Sequence, residues 1–316
     1  MAPSNPVLPD FLSSAAPEML VTRAAMLKRL RAFFDSRGFL EVETPLLSHD
    51  VVVDRHLDPL SVTLFSDPRE PDVGDRLWLQ TSPEFAMKRL LVTGAEQLQS
   101  IYQITRAFRG GEVGSLHNPE FTMVEWYRLG DDYATGMQLL SDLAEEMLSR
   151  GTPERLTYRE AFQRYAGVDP FAPPSAADHD LHLDLLLTQK VESHLGQDRP
   201  TILYDYPASQ SALARIRDGN PPVAERFELY VRGIELANGY HELLDPAVLR
   251  ERNRVNNQLR QSDGKPVLPE ESRLLAAMDH GLPACSGCAL GFDRLVMAAT
   301  GAKSIQEVLA FPISRA

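Results

Sequence analysis

The sequence contains few cysteines and no further cysteine pair near them. Its two cysteines, Cys285 and Cys288, form a single Cys-x-x-Cys pair. Such a pair supplies half of a four-ligand zinc site or a redox couple, and the second half of a zinc site is missing. Because the surrounding segment is rich in small residues, we predict two buried, unreactive thiols.

Long apolar runs are also absent. No stretch approaches the roughly 20 residues that cross a bilayer as a helix. Residues 1–20 contain several prolines, and they lack the basic start and apolar stretch of a secretion signal. We predict a loosely held N-terminal arm over residues 1–20 and a cytoplasmic protein with no membrane partner.

Positive charge is scarce. The chain has 32 Lys and Arg against 44 Asp and Glu, which gives a net charge of −12 at pH 7. Proteins that bind long nucleic acids usually present a basic face, so extensive contact with tRNA or DNA is disfavoured. Glycine-rich phosphate loops of the GxxxxGK[ST] and GxGxxG types are missing too. A nucleotide would therefore be held by arginines and a metal.

Strand and helix patterns interleave along the chain. With 316 residues, the chain can form a large single domain. Several predicted strand pairs are joined by links shorter than the dozen or so residues that a parallel crossover needs. We predict an α+β fold, a mostly antiparallel sheet flanked by helices, in one domain over residues 21–316. The main predicted elements are helices over 21–38, 131–150 and 181–195 and strands over 202–207, 227–236 and 285–291.

One predicted strand combines an arginine before it with a carboxylate inside it. Alternation along the strand places four side chains on one face, namely Phe121, Met123, Glu125 and Tyr127. Glu125 is costly to bury unless a cation meets it. Arg109 for an anion and Glu125 for a cation together indicate a ligand that carries both charges.

Two other glutamates flank a predicted turn. Glu235 and Glu242 lie on either side of Asn238 and Gly239, at the end of the predicted strand over 227–236. Carboxylates and an amide near a bend can hold Mg²⁺ while phosphate oxygens supply the remaining ligands. The alternative is a pair of solvated acids on a surface turn, which the apolar neighbours of Glu235 disfavour.

Glu84 and Arg294 each allow two interpretations. Glu84 follows Thr81 by three residues, so it is either a pocket residue or the acid of a capping box. Arg294 follows Gly291 at the start of the last predicted helix, where backbone N–H groups favour an anion site. An isolated arginine at such a place is otherwise a surface ion-pair partner.

Five segments resemble class II aminoacyl-tRNA synthetases, and specifically the lysyl branch. Residues 38–45, 106–127 and 287–295 resemble motifs 1, 2 and 3, and residues 81–91 and 233–243 resemble two lysyl-branch segments. The resemblance implies the catalytic core of that class, ATP as substrate, Mg²⁺ as cofactor, and a homodimer formed through the motif 1 region.

The resemblance also implies individual roles. Arg109 would contact the α-phosphate of ATP and Arg294 its β/γ end, while Glu235 and Glu242 would share Mg²⁺. The other implied ATP-binding residues are Gly111, Glu112, Asn118, Leu236, Asn238 and Gly291. The implied amino-acid pocket consists of Ser82, Glu84, Glu125, Tyr127, Glu242 and Ala289.

The chain departs from lysyl-tRNA synthetases in three places. The motif 1 region lies close to the N-terminus, so no anticodon-binding domain is expected. Ala289 replaces a glycine, and Gly111 stands where the group usually has a glutamate. The first two departures resemble the elongation factor P lysine ligase family, which attaches (R)-β-lysine, through an adenylate, to a lysine of elongation factor P.

This resemblance implies a function. We expect ATP-dependent activation of (R)-β-lysine or lysine, elongation factor P as the partner, and no tRNA. The alternatives are a truncated lysyl-tRNA synthetase-like activating enzyme with another acceptor, and a silent regulatory paralogue that binds an amino acid. The intact Arg109, Arg294, Glu235 and Glu242 disfavour the silent paralogue.

Overall fold

Antiparallel pairing dominates the architecture. The computed structural model describes residue 9 and residues 11–172 and 178–316, so residues 1–8 and 10 of the predicted arm lie outside the described residues. Within them the strands are β1 (Leu40–Glu41), β2 (Leu47–Ser48), β3 (Ser61–Phe65), β4 (Gly74–Leu79), β5 (Ser100–Phe108), β6 (Glu120–Leu129), β7 (Glu154–Thr157), β8 (Thr201–Pro207), β9 (Ile216–Arg217), β10 (Val223–Val231), β11 (Ile234–His241) and β12 (Cys285–Gly291).

The described strands form one large and one small sheet. The large sheet has the order β1-β5-β6-β12-β11-β10-β8-β7, with β9 paired to β10, and the small sheet has the order β2-β4-β3. Only the outer pairs β1–β5 and β7–β8 of this described part are parallel. The predicted α+β fold with a mostly antiparallel sheet is confirmed.

Helices cover both faces of the large sheet. In the described residues they are α1 (Pro17–Asp35), α2 (Glu84–Thr93), α3 (Tyr133–Leu148), α4 (Tyr158–Tyr165), α5 (His179–Leu186), α6 (Pro246–Ser262), α7 (Arg273–Gly281) and α8 (Phe292–Thr300). Apolar side chains of α1, α3 and α8 pack with Trp126 and Phe227 on one face. Side chains of α2 and α7 pack with Ile101 and Tyr127 on the other face.

Two predicted helices differ from the observed ones in extent. Helix α1 begins at Pro17, four residues before the predicted start at residue 21, because proline suits the first helical position. The predicted helix over residues 181–195 is α5 followed by a π-helical turn and a 3₁₀ turn. The predicted helix over 131–150 is confirmed as α3, whose N-cap Asp132 accepts from the backbone N–H of Thr135.

The prediction of one strand over residues 227–236 is wrong, because the structure divides this segment between β10 and β11. The chain turns at Arg232 and Gly233, which have φ values of 52° and 76°, and this pair of positive φ values suits a two-residue hairpin. Asn238 and Gly239, a frequent turn pair, lie instead within β11. A Cβ on Gly239 would lie 2.4 Å from the ring of Phe227, so close packing explains that glycine.

No helix within residues 11–172 and 178–316 is long and apolar enough to cross a membrane.

The thiols of Cys285 and Cys288 are free and buried, and burial raises the pKa of each. The prediction of two buried cysteines is therefore confirmed.

Candidate active site

A cleft of about 960 Å³ opens on the face of the large sheet that α2 and α6 border. Two rows of cross-strand neighbours on β10, β11, β12 and β6 run across this face, and all of their members except Glu228 line the cleft. The first row is Glu228, Asn238, Ala289 and Glu125, and the second row is Arg226, Tyr240, Gly287 and Tyr127. Because side chains of one row share a face, the sheet register brings residues from four strands together.

Gly287 leaves room for the functional groups around it. A Cβ at this position would lie 2.2 Å from Cε1 of Tyr127 and 2.6 Å from Oε1 of Glu242. Neither the ring nor the buried carboxylate can move away without leaving the cleft floor. A glycine is therefore required for Tyr127 and Glu242 both to lie against position 287.

Glu125 is buried at one end of the cleft, which we call the acidic end. Its Oε2 accepts from Ser82 Oγ at 2.7 Å, and its Oε1 accepts from the hydroxyl of Tyr127 at 2.5 Å. Burial, together with the charge of Glu84, raises the pKa of Glu125 to about 7. The predicted grouping of Ser82, Glu84, Glu125 and Tyr127 is what the structure brings together.

Lys88, to which sequence analysis gave no role, lies between Glu84 and Glu242. Its Nζ is 2.5 Å from Oε1 of Glu84 and 2.5 Å from Oε2 of Glu242. Burial raises the pKa of Glu242 to about 8, although Lys88 opposes that change. Burial alone would lower the pKa of Lys88, but the two carboxylates outweigh it and raise that pKa.

The capping-box interpretation of Glu84 is wrong. Helix α2 has Pro83 at its N-cap and no side-chain cap, and Thr81 Oγ1 is buried without a hydrogen-bond partner in the described residues. The backbone N–H of Glu84 donates to Ser82 Oγ at 3.1 Å, while the carboxylate turns to Lys88. The i,i+4 spacing of Glu84 and Lys88 is the sequence pattern from which their ion pair could have been predicted.

The other end of the cleft holds the two predicted arginines. Nη1 of Arg294 donates to the backbone oxygen of Glu235 at 2.9 Å. Nε of Arg109 donates to the backbone oxygen of Thr81 at 3.4 Å, and its guanidinium lies 5.1 Å from the ring centroid of Phe121. Both arginines line the cleft and leave donors for an anion.

His117 joins this group, and sequence analysis missed it. Its Nε2 lies 2.6 Å from Nη2 of Arg294. Burial and the charge of Arg294 lower the pKa of His117, so the neutral ring accepts a hydrogen bond from Arg294. The cleft thus contains a histidine that fixes one arginine, inside the segment resembling motif 2.

The loop after Arg109 explains the departure at Gly111. Gly111 has a φ of 78°, a conformation that glycine adopts without strain. Oε1 of the next residue, Glu112, lies 3.8 Å from Nη1 of Arg109. In this chain the loop therefore presents the carboxylate of Glu112 beside Arg109, one residue after the position where the group usually has a glutamate.

The remaining predicted ATP-binding residues differ in their access to the cleft. The amide of Asn118 is occupied within the chain, because Nδ2 donates to Glu120 O at 2.6 Å and Oδ1 accepts from the backbone N–H of Ile313 at 2.9 Å. Leu236 packs into the core behind the sheet, so only its backbone is available. Gly291 is the N-cap of α8.

The two predicted metal ligands do not lie together. Glu242 is enclosed with Lys88 at the acidic end, whereas Glu235 Oε2 lies 3.9 Å from Nη1 of Arg294. Glu228, which sequence analysis missed, shares the face of Glu235, because Tyr230 is the cross-strand partner of Glu235 and lies two residues after Glu228. Glu228 also accepts from Arg226 and from the hydroxyls of Tyr206 and Tyr230.

Glu235 lines the cleft, and a carboxylate at this place would suit a Mg²⁺ ion that phosphates also ligate. Half-burial in the cleft and the nearby charge of Glu228 raise the pKa of Glu235. Asn238 Oδ1, opposite Glu228, is buried without a hydrogen-bond partner in the described residues. Since Mg²⁺ commonly takes one or two carboxylates plus substrate phosphates, Glu235 with Glu228 beside it would suit the ion better than Glu235 with the enclosed Glu242.

The chain belongs to the class II tRNA synthetase family. The family model for "tRNA synthetases class II (D, K and N)" matches residues 7–315. The observed antiparallel sheet and the arginines on its face agree with the resemblance seen in residues 38–45, 106–127 and 287–295.

Within that class, the chain is similar to curated proteins named elongation factor P–(R)-β-lysine ligase. The protein of Yersinia enterocolitica is 45% identical over 96% of this chain and 97% of its own length. A Klebsiella pneumoniae protein of the same name is also 45% identical, and one from Salmonella heidelberg is 44% identical, with the same coverage.

The buried carboxylates predict a pH-dependent stability. The pKa values of Glu125 and Glu242 are raised from 4.5 to about 7 and about 8, so their contribution to stability is full below pH 4.5 and is lost as the pH rises through 7 and 8. Glu242→Gln removes one titration, so the free energy of unfolding of this variant should fall less over this range than that of the parent, by roughly 3–5 kcal/mol at about 1.4 kcal/mol per pKa unit. Urea unfolding at a series of pH values measures the slope. The exposed-site control Glu146→Gln should keep the parental slope; an unchanged slope in Glu242→Gln would contradict the prediction.

Proposed function

We propose that the chain is an ATP-dependent ligase that activates a lysine-type amino acid, (R)-β-lysine or lysine, as an aminoacyl-adenylate. It then transfers the aminoacyl group to the ε-amino group of a lysine on elongation factor P. The names of the relatives at 44–45% identity support this reaction.

One observation supports it most directly. A single cleft has buried carboxylates at one end and two arginines at the other. Carboxylates suit the ammonium groups of a diamino acid, and arginines suit the phosphates of ATP. The reacting carboxylate of the amino acid would then lie between the two ends, next to the α-phosphate.

The first step needs little proton transfer from the protein. The substrate carboxylate is already ionised at neutral pH, so its oxygen can attack the α-phosphorus directly. A bond from phosphorus to the carboxylate oxygen forms, and the bond to pyrophosphate breaks. Arg109 and Arg294 bring the anions together and stabilise the charge of the transferring centre, the main requirement in such a transfer.

A bound Mg²⁺ would add charge neutralisation on the phosphates, and Glu235 and Glu228 are the residues that would hold it. Glu112 and Asn238 remain predicted contacts of ATP from this chain. His117 keeps Arg294 oriented through its ring nitrogen.

The second step is a transfer to an amine. The acceptor lysine has a pKa near ~10.4 in water and must lose a proton before its nitrogen attacks the adenylate carbonyl. The new amide bond then forms and AMP leaves. Among the alternatives, a silent regulatory paralogue is not favoured, because both arginines face the cleft with the acidic end intact.

The test of this proposal uses purified elongation factor P, ATP, Mg²⁺ and either lysine isomer. Intact-mass spectrometry should show the addition of one lysyl group that depends on ATP and on this chain, while tRNA-Lys should remain uncharged. Arg294→Met should lower the rate of activation by roughly 10²–10³-fold, since it removes donors to the transferring phosphates. Arg254→Met, which alters an exposed arginine of α6 that pairs with the exposed Glu251, should not. No mass addition with either isomer would reject the proposal.

The methyl group of Ala289 leads us to predict selectivity between α-lysine and (R)-β-lysine. Its side chain lies on the cleft floor between Asn238 and Glu125, so its methyl group occupies space in the amino-acid pocket. Ala289→Gly should raise kcat/KM for α-lysine relative to (R)-β-lysine by roughly 10–100-fold in pyrophosphate exchange, the value of about one methylene in a pocket. The control Ala237→Gly removes a methyl that faces the opposite side of the sheet. A ratio equal in parent and Ala289→Gly would disprove the pocket argument.

The homodimer through residues 38–45 is also part of the proposal. Leu40 lies in edge strand β1 and is 51% exposed, and an exposed apolar edge favours association with another chain. Sedimentation equilibrium should give about twice the 35.2 kDa chain mass. Leu40→Asp should shift it to the monomer, whereas Leu181→Asp, at an exposed leucine of α5, should not. A monomeric parent protein at micromolar concentration would exclude the dimer.

A further inference from the structure

Lys88 is enclosed by the acidic end of the cleft. Its side chain is 2% exposed, and its Nζ lies 5.8 Å from the ring centroid of Tyr127 as well as 2.5 Å from oxygens of Glu84 and Glu242. The lysine comes from α2, and its partners come from α2 and from the residue after β11. It is therefore a fixed cation inside the pocket that the proposed function assigns to the amino acid.

Titratable groups face Lys88 from every element packed around it: Glu84 on α2, Glu125 and Tyr127 on β6, Tyr240 on β11, Glu242 after β11 and Cys285 on β12. Burial raises the pKa of both tyrosines and of the cysteine, so these three groups stay neutral. The charged groups are three carboxylates and one ammonium, and their sum is minus two when all are ionised.

We propose that Lys88 compensates one of the three carboxylates, which leaves a charge of minus two when all are ionised, and so makes the pocket specific for an amino acid with two ammonium groups. This inference rests on the proposed function. Two substrate ammonium groups then neutralise the pocket, while the substrate carboxylate points toward the arginines. An amino acid with one ammonium group would leave a buried carboxylate uncompensated, which is costly in a closed site.

The hydrogen bonds of the three carboxylates agree with this assignment. Glu125 uses one oxygen on Ser82 and the other on Tyr127. Glu242 is 1% exposed, and neither of its oxygens has an aligned hydrogen-bond donor among the described residues. Lys88 contacts Oε2 of Glu242, while Oε1 lies beside Gly287 and has no hydrogen-bond partner among the described residues. Lys88 is thus a positioning residue, which bridges Glu84 and Glu242 and opposes the rise in the pKa of Glu242.

A purely structural role makes a different prediction. If Lys88 only filled a buried ion pair, its loss would reduce the amount of folded protein or affect all kinetic constants alike. If Lys88 sets the pocket charge, its loss should affect the amino acid and not ATP, because ATP would bind at the arginine end. It should also shift the pH at which the remaining carboxylates ionise.

The experiment compares Lys88→Met, Lys88→Arg and the parent by amino-acid-dependent pyrophosphate exchange over a range of pH. In Lys88→Met, KM for the diamino acid should rise at least about tenfold while KM for ATP changes less than about twofold. The acid limb of kcat/KM should move up by about one pH unit, since loss of the cation raises the carboxyl pKa values. Lys88→Arg keeps the charge and should keep the parental acid limb. Arg89→Met is the matched control, because the next residue of α2 is 41% exposed and its Nη1 lies 3.9 Å from Asp50.

The outcomes separate this inference from the proposed function. A parent protein without exchange activity for any diamino acid rejects the proposed function, and the inference with it. An active parent with an unchanged amino-acid KM and acid limb in Lys88→Met overturns the inference alone, as does an equal rise in KM for ATP. Lys88→Gln, which keeps a donor but no charge, provides the same comparison where Lys88→Met does not fold.

Discussion

Buried negative charge is the constraint on which the rest of the cleft depends. Glu125 and Glu242 are each 1% exposed, and Glu84 is 8% exposed. Three carboxylates cannot share a dry pocket without cations, because transfer of each charge from water is unfavourable. Lys88 compensates one of them, and the high pKa values of Glu125 and Glu242 show that compensation is incomplete in the free chain. A cationic ligand completes it, so recognition of the ligand and relief of this repulsion are the same event.

The sheet register brings these charges together at low conformational cost. Four antiparallel neighbours place Glu228, Asn238, Ala289 and Glu125 in one row, although they come from distant parts of the chain. Helices α1, α3 and α8 pack behind that row and make it rigid. Small residues at Gly287 and Gly239 then allow large neighbours, a tyrosine and a phenylalanine, to approach the backbone. The precision of the site comes from strands, while the arginine end depends on a loop.

Sequence patterns predicted the parts of this arrangement that local periodicity determines. Alternation placed Glu125 and Tyr127 on one face, and the fold class followed from the short links. The hairpin of β10 and β11 was missed because Asn238–Gly239 is a stronger turn pattern than Arg232–Gly233, and only packing against Phe227 shows why glycine lies in the strand. Glu228 was missed for the same reason. Only the turn at Arg232–Gly233 pairs β10 with β11 so that Glu228 and Glu235 lie on the same face of the sheet. Lys88 was missed because its partner Glu242 is distant in sequence.

The amide of Asn118 gives the far end of the chain an influence on the nucleotide end of the cleft. This side chain joins the loop after Arg109 to the backbone of Ile313, three residues before the last residue of the sequence. The C-terminal segment is therefore hydrogen-bonded to the loop that carries Arg109 and His117.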